Sequence, residues 1–333
     1  MARKLADVAK QAGVSEATVS RVLNGRPGIS EETRAAVLTA LDVIGYERPT
    51  HLRVRRARMV GLIVPELQNP VFPALAEVVS GALAQRGFNA VLCTRTGSMS
   101  EAEYVEMLLE RQVSGMIFAG GQYAEADAPH EHYQRLLRLR LPVVLVNAAA
   151  EHLDFPRVST DDAVAMEQAY SHLAYLGHQR IGLILGPPDH MPSARKLEAF
   201  ERVAAKAAAP SDLVERTRFS LEGGHAAATR LIDRGVTGII CASDPLALGA
   251  IRAARRADLT VPGDLSVIGY DDSILMSCTD PPLTTVRQPI EAIGRAAVEM
   301  LAGQIEGSVV SADELFFEPE VVARGSTANA PAR

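Results

Sequence analysis

The sequence predicts a small all-α helix-turn-helix module followed by a large core of two α/β lobes. Three observations carry this expectation. Charge is segregated, with eleven Lys/Arg against six Asp/Glu in residues 1–58, a net of +5. The remaining 275 residues hold 23 against 34, a net of −11. A basic module on a larger acidic one is the asymmetry of a nucleic-acid reader joined to something else. From Met59 onward, apolar strand-like runs alternate with helix-period stretches, the pattern of doubly wound layers on parallel sheets. Finally, 333 residues, 47% of them hydrophobic, suffice for two or three domains at roughly 100–200 residues each.

The composition also excludes several classes. Charged residues at 22% beside so much apolar content rule out a mostly disordered chain. No apolar run approaches the roughly 18–20 residues of a membrane helix. The first thirty residues carry charge every few positions, so no signal-peptide core is expected. Cys93, Cys241 and Cys278 are odd in number, far apart and form no C-x-x-C. They fit a reducing cytoplasm better than a disulfide framework or a thiolate zinc site. Catalysis finds no support: there is no nucleophile elbow, P-loop, dinucleotide fingerprint or H-E-x-x-H. His130 and His132 lack further candidate ligands, and adjacent residues such as Asp161-Asp162 or Asp271-Asp272 do not normally converge as an acid/base pair. The expectation is a soluble cytoplasmic protein, not an enzyme, with no metal, cofactor or membrane partner.

The N-terminal module reads as three helices. Leu5, Val8, Ala9 and Ala12 fall at i, i+3, i+4 and i+7, giving a first helix over 5–12. Gly13 supplies the turn, and Ser15 offers a hydroxyl cap for a second helix over roughly 16–24. Ser30 caps a third, over roughly 31–44, with Glu31 and Glu32 where the dipole favours anions. Val37, Leu38, Leu41 and Ile44 form its apolar stripe, and Gly45 ends it. The short break from Gly13 to Ser15 makes this a helix-turn-helix module, although the same stripes suit a three-helix bundle with no ligand. The second helix displays Glu16, Ala17, Thr18, Ser20 and Arg21, the last able to form two bonds to guanine.

The wording is more specific than the pattern. Asp7-Val8-Ala9, Ala12-Gly13-Val14-Ser15 and Ala17-Thr18-Val19-Ser20-Arg21-Val22-Leu23-Asn24-Gly25 closely resemble the headpiece of the lactose-repressor (LacI/GalR) family of bacterial transcription regulators. That resemblance implies a module over 1–47, with Glu16, Ala17 and Arg21 at base-reading positions. It puts Thr18, Ser20 and Asn24 on the phosphate backbone, with Ser15 at the helix start. Lys4 stands where the family usually has a threonine cap. In the linker, 48–58, the family has a hinge helix with a leucine wedged into the minor groove; here the spacing is shorter and Arg55 falls at that position. Leu52 is the nearest wedge and Val54 a weaker one. Alternatively, Arg53, Arg55 and Arg56 grip a narrow minor groove electrostatically.

In the core, strands are expected at Val60–Val64, Ala90–Cys93, Met116–Ala119, Val143–Val146, Ile181–Leu185, Gly238–Cys241 and Leu265–Ile268. Helices are expected near 72–86, 101–111, 131–139, 162–176, 193–208, 224–234 and 245–257. Ligands bind beyond the carboxyl ends of parallel strands, and polar residues gather there: Glu66, Asn69 and Phe72, then Asn147, Asp189, His190, Ser243, Asp271 and Gln288. Amide, carboxylate and hydroxyl groups with an aromatic ring are what a neutral polyol needs.

The resemblance extends here through Gly61-Leu62-Ile63-Val64-Pro65, Asn69-Pro70-Val71-Phe72, Ser243-Asp244-Pro245, Val261-Pro262-Gly263-Asp264 and Arg324-Gly325-Ser326-Thr327. It implies a periplasmic-binding-protein-like, effector-binding core over 59–325 whose lobes are crossed three times. The first lobe would hold 59–158 and 289–318, the second 159–288 and 319–325, with 326–333 a tail. By the same resemblance Phe72, Asn147, Lys196, Phe219, Ser243, Asp271 and Gln288 line the effector cleft. Lys196 replaces the family's usual arginine, and Arg195 beside it is a substitute. The implied protein is a homodimeric repressor of sugar-utilisation genes that binds a near-palindromic operator in double-stranded DNA. A sugar effector would switch its affinity. A purine-type co-repressed regulator, a sugar transport protein and a sugar-processing enzyme are the alternatives.

Overall fold

The computed structural model describes residues 5–23, 29–44, 58–95, 99–147 and 152–331, Glu31 and Asp42 by their backbone alone. They fall into two compact units, Met1–Arg58 and Met59–Arg333. In the first, α1 (Leu5–Ala12), α2 (Glu16–Leu23) and α3 (Glu31–Ile44) follow one another. Val8, Ala9, Val19, Val22, Leu23, Val37, Ala40 and Leu41 bury a common core. Spacings of three and four put each set on one helix face. Gly13 turns the chain at φ +66°, a left-handed conformation that suits glycine. Ser15 Oγ then accepts from Thr18 N at 3.1 Å, and Ser30 Oγ from Thr33 N at 3.2 Å, so both serines cap as expected. The expectations for Lys4, Asn24, Leu52, Arg53, Val54, Arg55 and Arg56, and hence the whole hinge question, lie outside the described residues.

The second unit alternates strands and helices. Its first stretch is β1 (Met59–Val64), α4 (Val71–Gln85), β2 (Asn89–Thr94), α5 (Glu101–Glu110), β3 (Gly115–Ala119), α6 (Glu131–Leu139), β4 (Val143–Val146) and β5 (Arg157–Thr160). There follow α7 (Asp162–Tyr175), β6 (Ile181–Leu185), α8 (Met191–Lys206), β7 (Val214–Arg216), α9 (Leu221–Asp233), β8 (Gly238–Cys241), α10 (Asp244–Arg256), β9 (Ser266–Asp271) and β10 (Thr284–Arg287). The chain closes with α11 (Ile290–Ile305), β11 (Glu314–Phe317) and β12 (Glu320–Val322). All seven expected strands form, joined by β5, β7, β10, β11 and β12, none longer than four residues.

Two six-stranded sheets result, ordered β11-β5-β4-β3-β1-β2 and β12-β10-β9-β8-β6-β7. Every pairing is parallel except β10 with β12. The central strands are buried on both faces, as in parallel sheets between helices, while the edge strands β2, β7, β11 and β12 are partly exposed. Three crossings join the lobes, after β5, after β10 and after β11. The first falls at Asp161 rather than at 158, because β5 runs on to Thr160 and pairs with β4 and β11. Residues expected as a tail are instead sewn to the second lobe. Ser326 Oγ accepts from Thr284 N at 2.8 Å and donates to Val267 O at 2.6 Å, and Ala330 N donates to Leu176 O at 2.8 Å. Among the described residues, no helix is long and apolar enough to cross a membrane.

Candidate functional site

The strand ends of both lobes surround a cavity of about 540 Å³, within the usual range of small-molecule sites. Phe72, Asn147, Lys196, Phe219, Ser243, Asp271 and Gln288 all line it. Arg195 does not. Its Nη1 and Nη2 each reach a carboxylate oxygen of Glu314 at 2.7 Å, so the substitute for the family arginine faces an ion pair instead. Helical periodicity explains the correction: neighbours on α8 point about 100° apart, so Lys196 and Arg195 cannot both face the cavity. Asn69, Asp162, Tyr270, His190 and Ser193 complete the wall. Of these, Asn69, His190 and Tyr270 follow expected strands in the sequence, although β9 runs on through Tyr270, whereas Asp162 reads as a helix start.

A continuous hydrogen-bond chain runs along the floor. Asn69 Nδ2 donates to Asp271 Oδ2 at 2.9 Å, and Gln288 Nε2 donates to Asp271 Oδ1 at 2.7 Å. Gln288 Oε1 in turn accepts from Thr160 Oγ1 at 2.7 Å and Asn147 Nδ2 at 3.1 Å. Asn147 Oδ1 accepts from Thr160 N at 2.9 Å. Asn69 and Asn147 belong to the first lobe and Asp271 to the second, while Gln288 and Thr160 flank two of the crossings. Asp271 holds φ +117° and Asn147 φ +54°, conformations that cost energy for side-chain-bearing residues and recur at functional sites. Burial, then the neighbouring Asp244, pushes the Asp271 carboxyl well above the usual carboxylate range, against the pull of the two amides.

Opposite this floor lies a second polar group. The Lys196 ammonium donates to Asp162 Oδ1, which also accepts from Tyr270 OH at 2.9 Å. That ammonium sits 4.2 Å from the centroid of the Tyr270 ring, a cation–π contact. Burial and Asp162 together hold the Tyr270 phenol well above its ordinary value, so it stays a donor. Phe219 supplies the aromatic wall. Its ring lies so close to Gly186 that a Cβ there would come within 2.3 Å, so any larger residue at that strand end would displace the ring. Ser243 lines the cavity and also caps α10, its Oγ accepting from Leu246 N at 3.4 Å. Asp272 is bound by Arg287 and Arg324 and forms no dyad with Asp271.

At the mouth the lobes touch. Glu125 and His190 form an antiparallel bridge, Ala126 N donates to Asp189 O at 2.9 Å, and Arg95 pairs with Glu125 at 2.9 Å. His190 caps α8: its Nδ1 accepts from Ser193 N at 3.3 Å and from Ser193 Oγ at 2.9 Å. Burial, with Lys196, Arg216 and Arg95 nearby, drives its pKa down to about 3. A histidine depressed in this way adds stability that is complete above its unfolded value of about 6.5 and is lost as pH falls toward 3. His190→Asn keeps an acceptor for the cap and removes the titration. The melting temperature of the wild type should therefore fall relative to that of His190→Asn between pH 7 and pH 5; a constant difference would contradict a buried neutral imidazole.

On the smaller unit, Ser15, Glu16, Ala17 and Arg21 are exposed and Thr18 and Ser20 half-buried, whereas Val19, Val22 and Leu23 face the core. Positions 16, 17, 20 and 21 thus share the outer face of α2. Ser15 Oγ is engaged with Thr18, at 2.9 Å to its hydroxyl. Among the described residues, no group of three or more His, Cys, Asp or Glu is arranged to hold a metal.

Comparison with known proteins places both units. Residues 4–49 match the model for bacterial regulatory proteins of the lacI family, and residues 170–327 match a periplasmic binding protein-like domain. The HTH-type transcriptional regulator MalR of Streptomyces coelicolor is 51% identical over 99% of this chain and 98% of its own. The regulator DegA of Bacillus subtilis is 34% identical over 96% and 97%. Among solved structures, a complex of the transcriptional regulator CelR with cellobiose aligns over 98% of this chain and 100% of its own, with a TM-score of 0.74 and 31% identity. The lac repressor dimer bound to operator and the anti-inducer ONPF aligns over the same shares, with a TM-score of 0.73 and 25% identity.

Proposed function

The chain belongs to the lacI family of bacterial regulatory proteins, DNA-binding regulators of transcription, and on that premise we propose that it is a repressor whose operator affinity is switched by a sugar held between its core lobes. The observation that carries this reading is the buried chain Asn69–Asp271–Gln288–Asn147, which joins both lobes through groups that also line the cavity. A polyol hydroxyl that exchanges bonds with these groups changes the link between lobes, and that differential contact is what an allosteric ligand requires. The regulator acts as a homodimer, because two helix-turn-helix units meet two half-sites of a near-palindromic operator.

Fluorescence anisotropy of a labelled operator from the gene's own upstream region, titrated with full-length protein, tests the reading. A mono- or disaccharide should shift operator affinity by roughly 5- to 150-fold, the usual span of allosteric coupling. Release by the sugar marks induction and tightening marks co-repression. A panel of saccharides that leaves operator affinity unchanged would refute the sugar switch.

The ligand is neutral. Of the three cations that line the cavity, Lys196 is buried and already matched by Asp162, Arg95 is matched by Glu125, and Arg218 is exposed, where water screens its charge. An anionic sugar would have to displace a buried carboxylate, which costs more than a rim contact. Glucose 6-phosphate should therefore leave the wild-type melting temperature unchanged. Asp162→Asn, which strips Lys196 of its counter-ion, should gain a stabilisation by glucose 6-phosphate. Stabilisation of the wild type by the phosphate, or none in the variant, would argue against this charge assignment.

A further inference from the structure

Outside the cavity, an ion pair among the described residues joins the lobes. Arg195 projects from α8 of the second lobe, and both of its terminal nitrogens lie 2.7 Å from the carboxylate oxygens of Glu314 on β11, the edge strand of the first lobe. The Arg195 guanidinium also lies 5.7 Å from the centroid of the Phe316 ring, on the same strand and the same face. The Glu314 side chain is only 8% exposed, so its carboxylate depends on this partner. The next residue on α8, Lys196, lines the ligand cavity, as does Ser193. Whatever holds Arg195 therefore holds the ligand-bearing helix against the first lobe.

Beside this pair stands Arg157, half-buried, with two donors that meet no partner among the described residues. β11 and β5 are parallel with Glu314 opposite Arg157. In-register neighbours on parallel strands put their side chains on one face, about 4.8 Å apart. Arg157 Nε and Nη1 are buried and meet no hydrogen-bond partner among the described residues. Buried donors almost always find acceptors, and a guanidinium without one is a cost that some other arrangement relieves. The nearest register position carries a carboxylate, and that carboxylate is engaged by the opposite lobe.

We propose that Glu314 is a positioning residue with two seats: it holds Arg195 of the second lobe while the lobes are together, and turns to Arg157 of its own lobe when they part. The two pairings are mutually exclusive, because the bidentate grip of Arg195 uses both carboxylate oxygens. Separation carries Arg195 away with α8 and would leave Glu314 buried without a counter-charge. Arg157 is already in place to supply one. The open state is thereby relieved of an unpaired carboxylate and the closed state leaves two buried Arg157 donors without a partner among the described residues, so the balance between the two is set outside the ligand site. The exchange bears on the sugar switch proposed above, but its geometry does not rest on that reading, and its test uses no ligand.

Pulsed electron paramagnetic resonance on the full chain measures lobe separation directly. Nitroxides at Gln134→Cys on α6 and Thr229→Cys on α9, both exposed positions, report one lobe each, with Cys278→Ser removing the exposed native thiol. An excess of unlabelled protein restricts the signal to distances within one chain. Arg195→Ala should raise the ratio of open to closed molecules by about fivefold or more, as expected for loss of a largely buried pair. In otherwise wild-type protein Arg157→Met should move molecules toward the closed distance, because only the open state then loses the partner of Glu314; added to Arg195→Ala it should change nothing, since Arg157 lies in the same lobe as Glu314 and can hold it in both states. On a Glu314→Gln background, neither arginine substitution should move the distribution. An Arg195→Ala protein with the wild-type distribution, an Arg157→Met protein without a shift toward the closed distance, a shift by Arg157→Met that persists in Arg195→Ala, or arginine effects that survive in Glu314→Gln would each overturn the proposal. Should Arg157→Met fail to fold by circular dichroism, Arg157→Gln carries the same test.

Discussion

Asp271→Ala is expected to abolish the response of operator binding to sugar while leaving operator affinity without sugar close to that of the wild type. The carboxyl group of Asp271 satisfies Gln288 through one oxygen and Asn69 through the other. Truncation strands two buried amide donors, each costing about 1–3 kcal/mol, and removes the group best placed to receive a sugar hydroxyl. The apparent sugar affinity should drop by about a hundredfold or more, since 1.4 kcal/mol is a factor of ten. Helix α2 lies in the separate unit Met1–Arg58, which keeps its own core, so operator binding should survive. Operator anisotropy with and without saccharide measures both quantities, and an unchanged dose response would mean that Asp271 does not hold the ligand. A pH signature accompanies the substitution. Because Asp271 is raised above its unfolded value of about 3.9, its favourable contribution is present at low pH and is lost as pH rises through the folded value. The melting temperature of the wild type should therefore decline relative to Asp271→Ala as pH climbs from 4 upward.

How far the sequence could be read depends on burial and length. The long elements announced themselves: α1, α2 and α3 by their spaced apolar residues and serine caps, and the central strands by unbroken runs such as Ile181–Leu185. Helix α11 carries the same signal in Ile290, Ile293, Ala297 and Leu301, all facing one core. The edge strands were different. β7, β11 and β12 span three or four residues with Glu or Arg among them, and they exist because a neighbouring strand offers hydrogen bonds, not because of any pattern of their own. The same logic divides the site. Asp271 and Gln288 follow strands and could be placed. The pairing of Lys196 with Asp162 and Tyr270 joins residues 34 and 108 positions apart, a relation that only the folded chain creates. The misreading of Arg195 was of that kind too, since its partner Glu314 sits 119 residues away.

Arg21→Ala should cost operator binding about 1–3 kcal/mol and relax discrimination at one base pair, the signature of a lost two-bond contact to a base edge. The orientation of α2 supports this expectation. Val19, Val22 and Leu23 are buried in the three-helix core, and that burial fixes the rotation of the helix about its axis. With those residues turned inward, Glu16, Ala17, Ser20 and Arg21 share the opposite face. Arg21 is exposed there, and it carries the planar fork that matches guanine O6 and N7. Thr18→Ala should behave differently. A hydroxyl on the phosphate backbone sets register without reading sequence, so its loss should weaken all sequences alike. Binding isotherms on the operator and on single-base variants separate the two cases. Arg21→Ala should flatten the difference between one variant and the parent operator, while Thr18→Ala should preserve every ratio. Unchanged operator affinity in Arg21→Ala would remove α2 as the base-reading helix, because no other exposed residue described on that face carries a fork of donors able to take its place.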